Sequence, residues 1–220
     1  MYIERALEPL VRRYSENFKI VAVTGPRQVG KTTMLKHLME EEAESGVDRV
    51  YVTLDNTAIL QTAKEDPALF LQRYRPPVLI DEIQKAPELL PYIKMIVDER
   101  DDCGSVWITG SQPLHLMKPV SESLAGRVGI VEMLGLSHSE VAGTPSEPYL
   151  PSADYFMRRV DMAKPFGVSE AYRQICAGSL PGIRALPDDL RAGGYESYLD
   201  TYIMRDIRDL AQVGDELKFR

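Results

Sequence analysis

Residues 19–35, KIVAVTGPRQVGKTTML, restrict the possible folds more than any other stretch of the chain. Ile20, Val21, Ala22 and Val23 form an unbroken apolar run, as a strand buried on both faces requires. GPRQVGKT follows at once and fits the pattern G-x-x-x-x-G-K-[ST], with Gly25, Gly30, Lys31 and Thr32 in the fixed places. The residue types follow from the task. Gly25 and Gly30 let the backbone turn with no Cβ in the way, so successive N–H groups face one point and bind phosphate oxygens. The binding stretch runs through Gly25, Pro26, Arg27, Gln28, Val29, Gly30, Lys31, Thr32 and Thr33. Lys31 places a charge on the β- and γ-phosphates of a nucleotide, and the Thr32 hydroxyl is a ligand for Mg²⁺. Met34, Leu35, Leu38 and Met39 recur at helical spacing, so a helix opens behind the loop and adds its N-terminal N–H groups.

A second signal lies in PPVLIDEIQ, residues 76–84. Val78 to Ile80 read as a buried strand ending in Asp81 and Glu82. Ligands of open α/β sheets sit beyond the carboxyl ends of the strands. Asp81 therefore arrives beside the loop and can hold Mg²⁺ directly or through water. Glu82 is the candidate general base for an attacking water. Residues 105–112, SVWITGSQ, give a further strand and a polar turn. Ser111 is the first candidate there to sense the γ-phosphate or orient the water, with Thr109 and Gln112 behind it.

The remaining chain reads as alternating helices and strands. Ile3, Leu7, Leu10 and Val11 form a helical stripe over residues 2–15; Arg5 is expected to be solvated, with a reach to the nucleotide as the alternative. Val50 to Leu54 make a second strand. Residues 57–73 are helical but broken at Asp66-Pro67. A helix over Pro87–Arg100 carries the apolar face Leu89, Leu90, Ile93, Ile96 and Val97. The stretch 121–127 suggests a short helix ending at Gly126, and Arg127 then opens a fifth strand, Val128 to Met133. Ser137 and Glu140 form a capping box. The prolines between 143 and 168 mark a boundary. The expected layout is a core over 1–145, a proline-rich linker over 146–168 and a helical region over 169–220. Tyr195, Tyr198, Leu199, Tyr202, Ile203, Ile207 and Leu210 share one helix face and are read as packing residues. Arg205-Asp206 is a candidate nucleotide sensor.

Composition narrows the class. The net charge of -7 argues against a broad basic face, so nucleic acid is not an indicated partner. Cys103 and Cys176 make neither a zinc site nor a disulfide framework, which suits a reducing cytoplasm. His37, His115 and His138 share no metal-ligand spacing. No apolar run approaches membrane-spanning length, and MYIERALEPL is no signal peptide. The chain ends without a helix stop signal, which suggests a piece of a longer protein. The expected fold is α/β: a five-stranded parallel sheet with helices on both faces, plus a C-terminal helical region; the resemblance of the loop and of the Asp81-Glu82 strand to P-loop ATPases implies that the strand carrying Ser111 lies between them.

GPRQVGKTT, the strand ending LDN, PVLIDEIQKAPELL, WITGSQ, SLAGRV, LSHSE, GSLPG and YLDTYIMRDI occur in an order that resembles the prokaryotic AAA+-type ATP-binding proteins. The resemblance covers about residues 2–210. It implies ATP and Mg²⁺ as ligands, with Lys31 and Thr32 in Walker A, Asp81 and Glu82 in Walker B, Ser111 near sensor 1 and Arg127 as a candidate arginine finger. It also implies a homo-oligomer if Arg127 acts in trans, and a further C-terminal domain of restriction-endonuclease-like fold. The activity implied is hydrolysis of ATP to ADP and phosphate, driving a conformational change. A nucleotide-dependent switch or scaffold with little turnover is the alternative. A P-loop kinase is disfavoured, since a water-activating Glu82 is unwanted when the acceptor is not water. No N-K-x-D string supports a GTPase.

Overall fold

The computed structural model describes residues 2–111, 124–144, 149–163 and 166–202; Gln112, His115 and Arg205-Asp206 lie outside them. The chain forms two compact units, residues 1–146 and 147–220.

The first unit is built on five strands: β1 (Ile20–Thr24), β2 (Val50–Thr53), β3 (Val78–Asp81), β4 (Val106–Gly110) and β5 (Val128–Glu132). All neighbours are parallel, in the order β2-β3-β4-β1-β5. β4 thus lies between β1 and β3, as expected. Ile20 is level with both Val106 and Val128, and Val78 with both Val50 and Val106. This register brings Thr24, Thr53, Asp81, Gly110 and Glu132 to one rim of the sheet. The inner strands β1, β3 and β4 are buried at every position, whereas β2 and β5 are partly exposed. That is the pattern of continuous apolar runs in the centre and mixed sequences at the edges.

Helices cover both faces. α1 (Glu8–Asn17) and α2 (Lys31–Glu44) take one face: Trp107 of β4 donates to Ser15 Oγ of α1 at 3.0 Å, and Lys36 of α2 lies over the Tyr51 ring. α3 (Thr57–Glu65), α4 (Pro67–Arg73) and α5 (Leu89–Asp98) take the other. There Ile20, Ala22, Ile80 and Ile108 pack with Phe70, Leu90, Ile93 and Val97 in one buried cluster. The break expected at Asp66-Pro67 is a double cap. Asp66 ends α3, and its carboxylate accepts from Leu69 N at 2.9 Å to start α4. α6 (His138–Val141) begins with the expected capping box, Ser137 with Glu140.

Four local expectations are corrected. α1 starts at Glu8 and not at residue 2, because Pro9 favours the first turn and residues 2–7 approach in non-helical form. Arg5, which precedes it, is not solvated but buried. The described part of the 121–127 segment is a turn, closed by Arg127 N donating to Leu124 O at 3.0 Å. The span 146–168 contains helix α7 (Ala153–Met162), whose Ser152 cap accepts from Tyr155 N at 3.3 Å; its prolines flank the helix rather than interrupt it.

In the second unit α7 is followed by α8 (Val168–Ala177), α9 (Pro181–Arg184) and α10 (Asp188–Tyr202). Tyr195 of α10 donates to the Ala177 carbonyl at 3.1 Å, and Arg184 donates to Gly178 O and Gln174 Oε1, both at 2.6 Å. Tyr195 is therefore a packing residue that closes the turn after α8. Among the described residues, no helix is long and apolar enough to cross a membrane.

Candidate functional site

The loop from Thr24 to Lys31 sits at the carboxyl rim, where β1 ends and α2 begins. Its conformation explains its glycines. Gly25 has φ 137°, and a Cβ there would lie 2.0 Å from the Met133 carbonyl oxygen. Gly30 has φ 98° and stands immediately before the helix. Gln28 is also left-handed, at φ 62°, an uncommon conformation for a residue with a side chain. Pro26 and Gln28 face solvent, Val29 is buried, and Thr33 is exposed on the first turn of α2.

Lys31 is 7% exposed and its Nζ donates to the Gly25 and Pro26 carbonyls, each at 2.8 Å. Burial lowers the pKa of its ammonium, against the opposing attraction of Glu82 and Asp81. The next residue, Thr32, donates through Oγ1 to Asp81 Oδ1 at 2.8 Å. The other oxygen of Asp81 accepts from Tyr51 Oη at 3.1 Å. The Tyr51 phenol is pushed up to about 12 by its burial and by the adjacent Asp81 charge. Thr109 donates to Asp81 Oδ1 and accepts from the Glu82 backbone N–H at 3.1 Å. The end of β4 is therefore bonded to Asp81, the last residue of β3, and to Glu82 just beyond it.

Glu82 has φ 60° and ψ 45°, and opens a 3-10 turn over Ile83–Lys85. Its carboxylate accepts from the Gln84 side-chain amide, which also donates to Ser111 Oγ at 3.0 Å. Thus Glu82, Ser111, Thr32, Asp81 and Lys31 are brought to one rim beside the loop.

Arg127 is elsewhere. Its carbonyl accepts from Ile20 N at 3.0 Å, which sets it at the amino rim, one strand length from the loop. Its guanidinium pairs with Asp98 at 2.5 and 2.9 Å. Within one chain it does not reach the phosphate loop.

Two residues of the site carried no assignment in the sequence, and a third carried a wrong one. Tyr51 and Gln84 bind the acidic pair. Arg5 donates through Nη1 to the Val29 carbonyl of the loop at 2.7 Å, through Nη2 to Leu134 O at 2.8 Å, and through Nε to Glu140 at 2.9 Å. A cleft of about 490 Å³ opens beside it, lined in part by Tyr2, Ile3, Pro9, Val141 and Thr144.

The donor set suits a small, hard cation. Thr32 and Asp81 offer two oxygens to one point, and a phosphate-bound Mg²⁺ keeps water and phosphate for its other positions. Among the described residues, no group of three His, Cys, Asp or Glu forms a metal cage.

Comparison with known proteins agrees with this geometry. The family model described as an AAA domain matches residues 17–142, more than half of the chain. Uncharacterized proteins of Mycobacterium bovis and Mycobacterium tuberculosis are each 30% identical over 205 residues, which is 93% of this chain and 39% of theirs. The chain thus spans about two fifths of the length of these curated relatives. A Walker-type ATPase of Pyrococcus abyssi has a similar structure, with a TM-score of 0.55 at 15% identity, over 97% of this chain and 77% of that one. That likeness concerns the fold. The motif order, the strand order and the family match agree: this chain belongs to the AAA domain family and has the fold of an AAA-type P-loop NTPase.

Proposed function

We propose that the chain binds ATP with Mg²⁺ and hydrolyses it to ADP and phosphate, using the cycle to drive a conformational change. The observation that carries this reading is the 2.8 Å bond between Thr32 and Asp81. It joins the loop to the acidic strand at the point where a phosphate-bound cation belongs. That cation, when bound, neutralises charge on the β- and γ-phosphates.

The chain's own residues do the rest. The loop N–H groups and Lys31 hold the phosphates. Glu82 takes a proton from water as the water oxygen bonds to the γ-phosphorus and the bridging P–O bond to ADP breaks. Ser111 and Thr109 hold the far side of the site. Arg5 supports the loop through Val29 O, and the neighbouring cleft is the place for the nucleoside end. Arg127 serves the site of a second copy, because its own site is out of reach.

The test is ATP turnover at several protein concentrations, with Lys31→Ala and Glu82→Gln alongside. Specific activity should rise with concentration, vanish in Lys31→Ala, and vanish in Glu82→Gln while nucleotide binding persists. Equal turnover in wild type and Lys31→Ala would refute the reading. The placement of Arg127 also favours one alternative: a single chain, lacking a neighbour's guanidinium, acts as a nucleotide-dependent switch with little turnover. Flat, low activity at all concentrations, together with ATP-dependent change in oligomer size, would select that alternative.

A further inference from the structure

Of the two polar groups of the Gln84 side chain, one makes two hydrogen bonds in this site and the other makes none among the described residues. Its Nε2 donates to both Glu82 and Ser111 Oγ. Its Oε1 is buried and has no protein partner among the described residues. Buried carbonyl oxygens are rarely left in this condition. A donor that belongs at this point is therefore expected, and it is the kind of group a substrate or its water supplies.

The backbone makes the arrangement rigid. Glu82 is left-handed and turns the chain back on itself. Ile83, 1% exposed, and Ala86, fully buried, insert into the core on either side of Gln84. Gln84 thus lies, with Lys85, in a turn pinned by two apolar anchors. Its side chain has to follow the turn, and the turn carries it between Glu82 just beyond β3 and Ser111 just beyond β4.

We propose that Gln84 is a positioning residue for hydrolysis. Its amide holds the Glu82 carboxylate and the Ser111 hydroxyl at a fixed separation, and its carbonyl oxygen accepts one hydrogen of the attacking water while Glu82 takes the other. This rests on the hydrolytic reading given above. Gln84 donates no proton and touches no phosphate; it acts by orientation. An amide suits the position. A carboxylate would repel Glu82, and an aliphatic side chain would leave both partners loose.

The experiment compares wild type, Lys31→Ala, Gln84→Ala, Gln84→Glu, Ser111→Ala and the double variant Gln84→Ala/Ser111→Ala. Three quantities are read: affinity for a fluorescent ATP analogue with Mg²⁺, single-turnover hydrolysis at saturating protein, and melting temperature. Gln84→Ala should keep affinity within about twofold and slow hydrolysis on the order of 10- to 100-fold, the scale expected when a reacting group is misplaced. Gln84→Glu should be at least as slow. The double variant should be little slower than the worse single one, because the residues act as a unit. Unchanged hydrolysis in Gln84→Ala, with wild type active, overturns the role. A loss of affinity or melting temperature in proportion to rate assigns Gln84 to the scaffold and overturns it as well. Wild-type hydrolysis no faster than Lys31→Ala is the separate failure of the hydrolytic reading, and removes the role of Gln84 with it.

Discussion

Arg5 and Glu140 stand 135 positions apart, yet Arg5 Nε donates to Glu140 Oε1 at 2.9 Å with both side chains out of water, at 4% and 7% exposure. The same guanidinium holds the Val29 carbonyl, and the same carboxylate accepts from the Ala6 and Ser137 backbones. One ion pair thereby ties the entering segment, the phosphate loop and the cap of α6 together. Removing one partner strands the other charge in a buried place, which costs about 3–5 kcal/mol. Arg5→Met and Glu140→Leu should each lower the melting temperature markedly, and the double variant should recover part of the loss. Additive losses in calorimetry would show that the two residues are not coupled.

Glu140 also sets an acid limit. Burial raises its pKa, but the N–H groups of Ser137 and Ala6 and the Arg5 guanidinium outweigh that and hold the carboxyl below its ordinary range. A carboxyl with a lowered folded pKa stabilises fully above its unfolded pKa, about 4.3. That contribution is lost as pH falls through the folded value. Wild type should therefore lose stability below about pH 4.3 more steeply than Glu140→Gln. Parallel acid-unfolding curves for the two would contradict this.

Gly25→Ala and Lys31→Ala should fail in different ways. A Cβ at Gly25 would stand 2.0 Å from the Met133 carbonyl, on backbone at φ 137°. Alanine there should distort the loop, lower the melting temperature and abolish nucleotide binding together. Lys31→Ala removes a charge but leaves the backbone, so binding should fall while melting changes little. Thermal shift with and without Mg²⁺-ATP separates the two.

The Asp81 partners form a graded series. Asp81→Asn should abolish the Mg²⁺ dependence of nucleotide binding and cut turnover on the order of 100-fold or more, since it removes the one carboxylate aligned with Thr32. Tyr51→Phe deletes a single bond to a charged group, a contribution of about 1.5–3 kcal/mol at most. Its turnover should fall by roughly tenfold with Mg²⁺ still required. A tyrosine variant as impaired as Asp81→Asn would mean that Tyr51 does more than orient the carboxylate.

Arg127 and Asp98 form an exposed pair, which contributes little to stability. Arg127→Ala should leave melting and ATP affinity alone and remove the rise of specific activity with concentration. Asp98→Asn, which releases the guanidinium, should preserve that rise. Equal behaviour of the two variants would tie the effect to the pair and not to the arginine.

The parts of the site that were legible in the sequence are those set by spacing within a few residues. The loop is one such part, because its glycines answer to local backbone geometry. Asp81 and Glu82 are another, because a buried strand delivers its last residues to the rim. Arg5, Tyr51 and Gln84 act through contacts reaching as far as 135, 30 and 27 residues. Nothing local marks Arg5 or Tyr51, and Gln84 shares its turn between Ile83 and Ala86 with a second polar residue, Lys85. Arg5 misled for a physical reason: a lone arginine on a short stripe is ordinarily solvated, and only the returning Glu140 makes its burial tolerable. The 146–168 span misled because prolines can bracket a helix as well as break one.

The parallel sheet also gives the domain a direction. The glycine loop and Asp81 lie at one rim and the Arg127–Asp98 pair at the other. A copy that lends Arg127 to its neighbour must offer its amino rim to the neighbour's carboxyl rim, and the neighbour is then left with its own amino rim unspent. Such head-to-tail contact is not self-complementary, so it closes into a ring or continues as a filament and does not stop at a two-fold pair. Mass photometry with Mg²⁺-ATP should accordingly show assemblies larger than two chains; an isolated dimer at saturating ATP would deny Arg127 its neighbour.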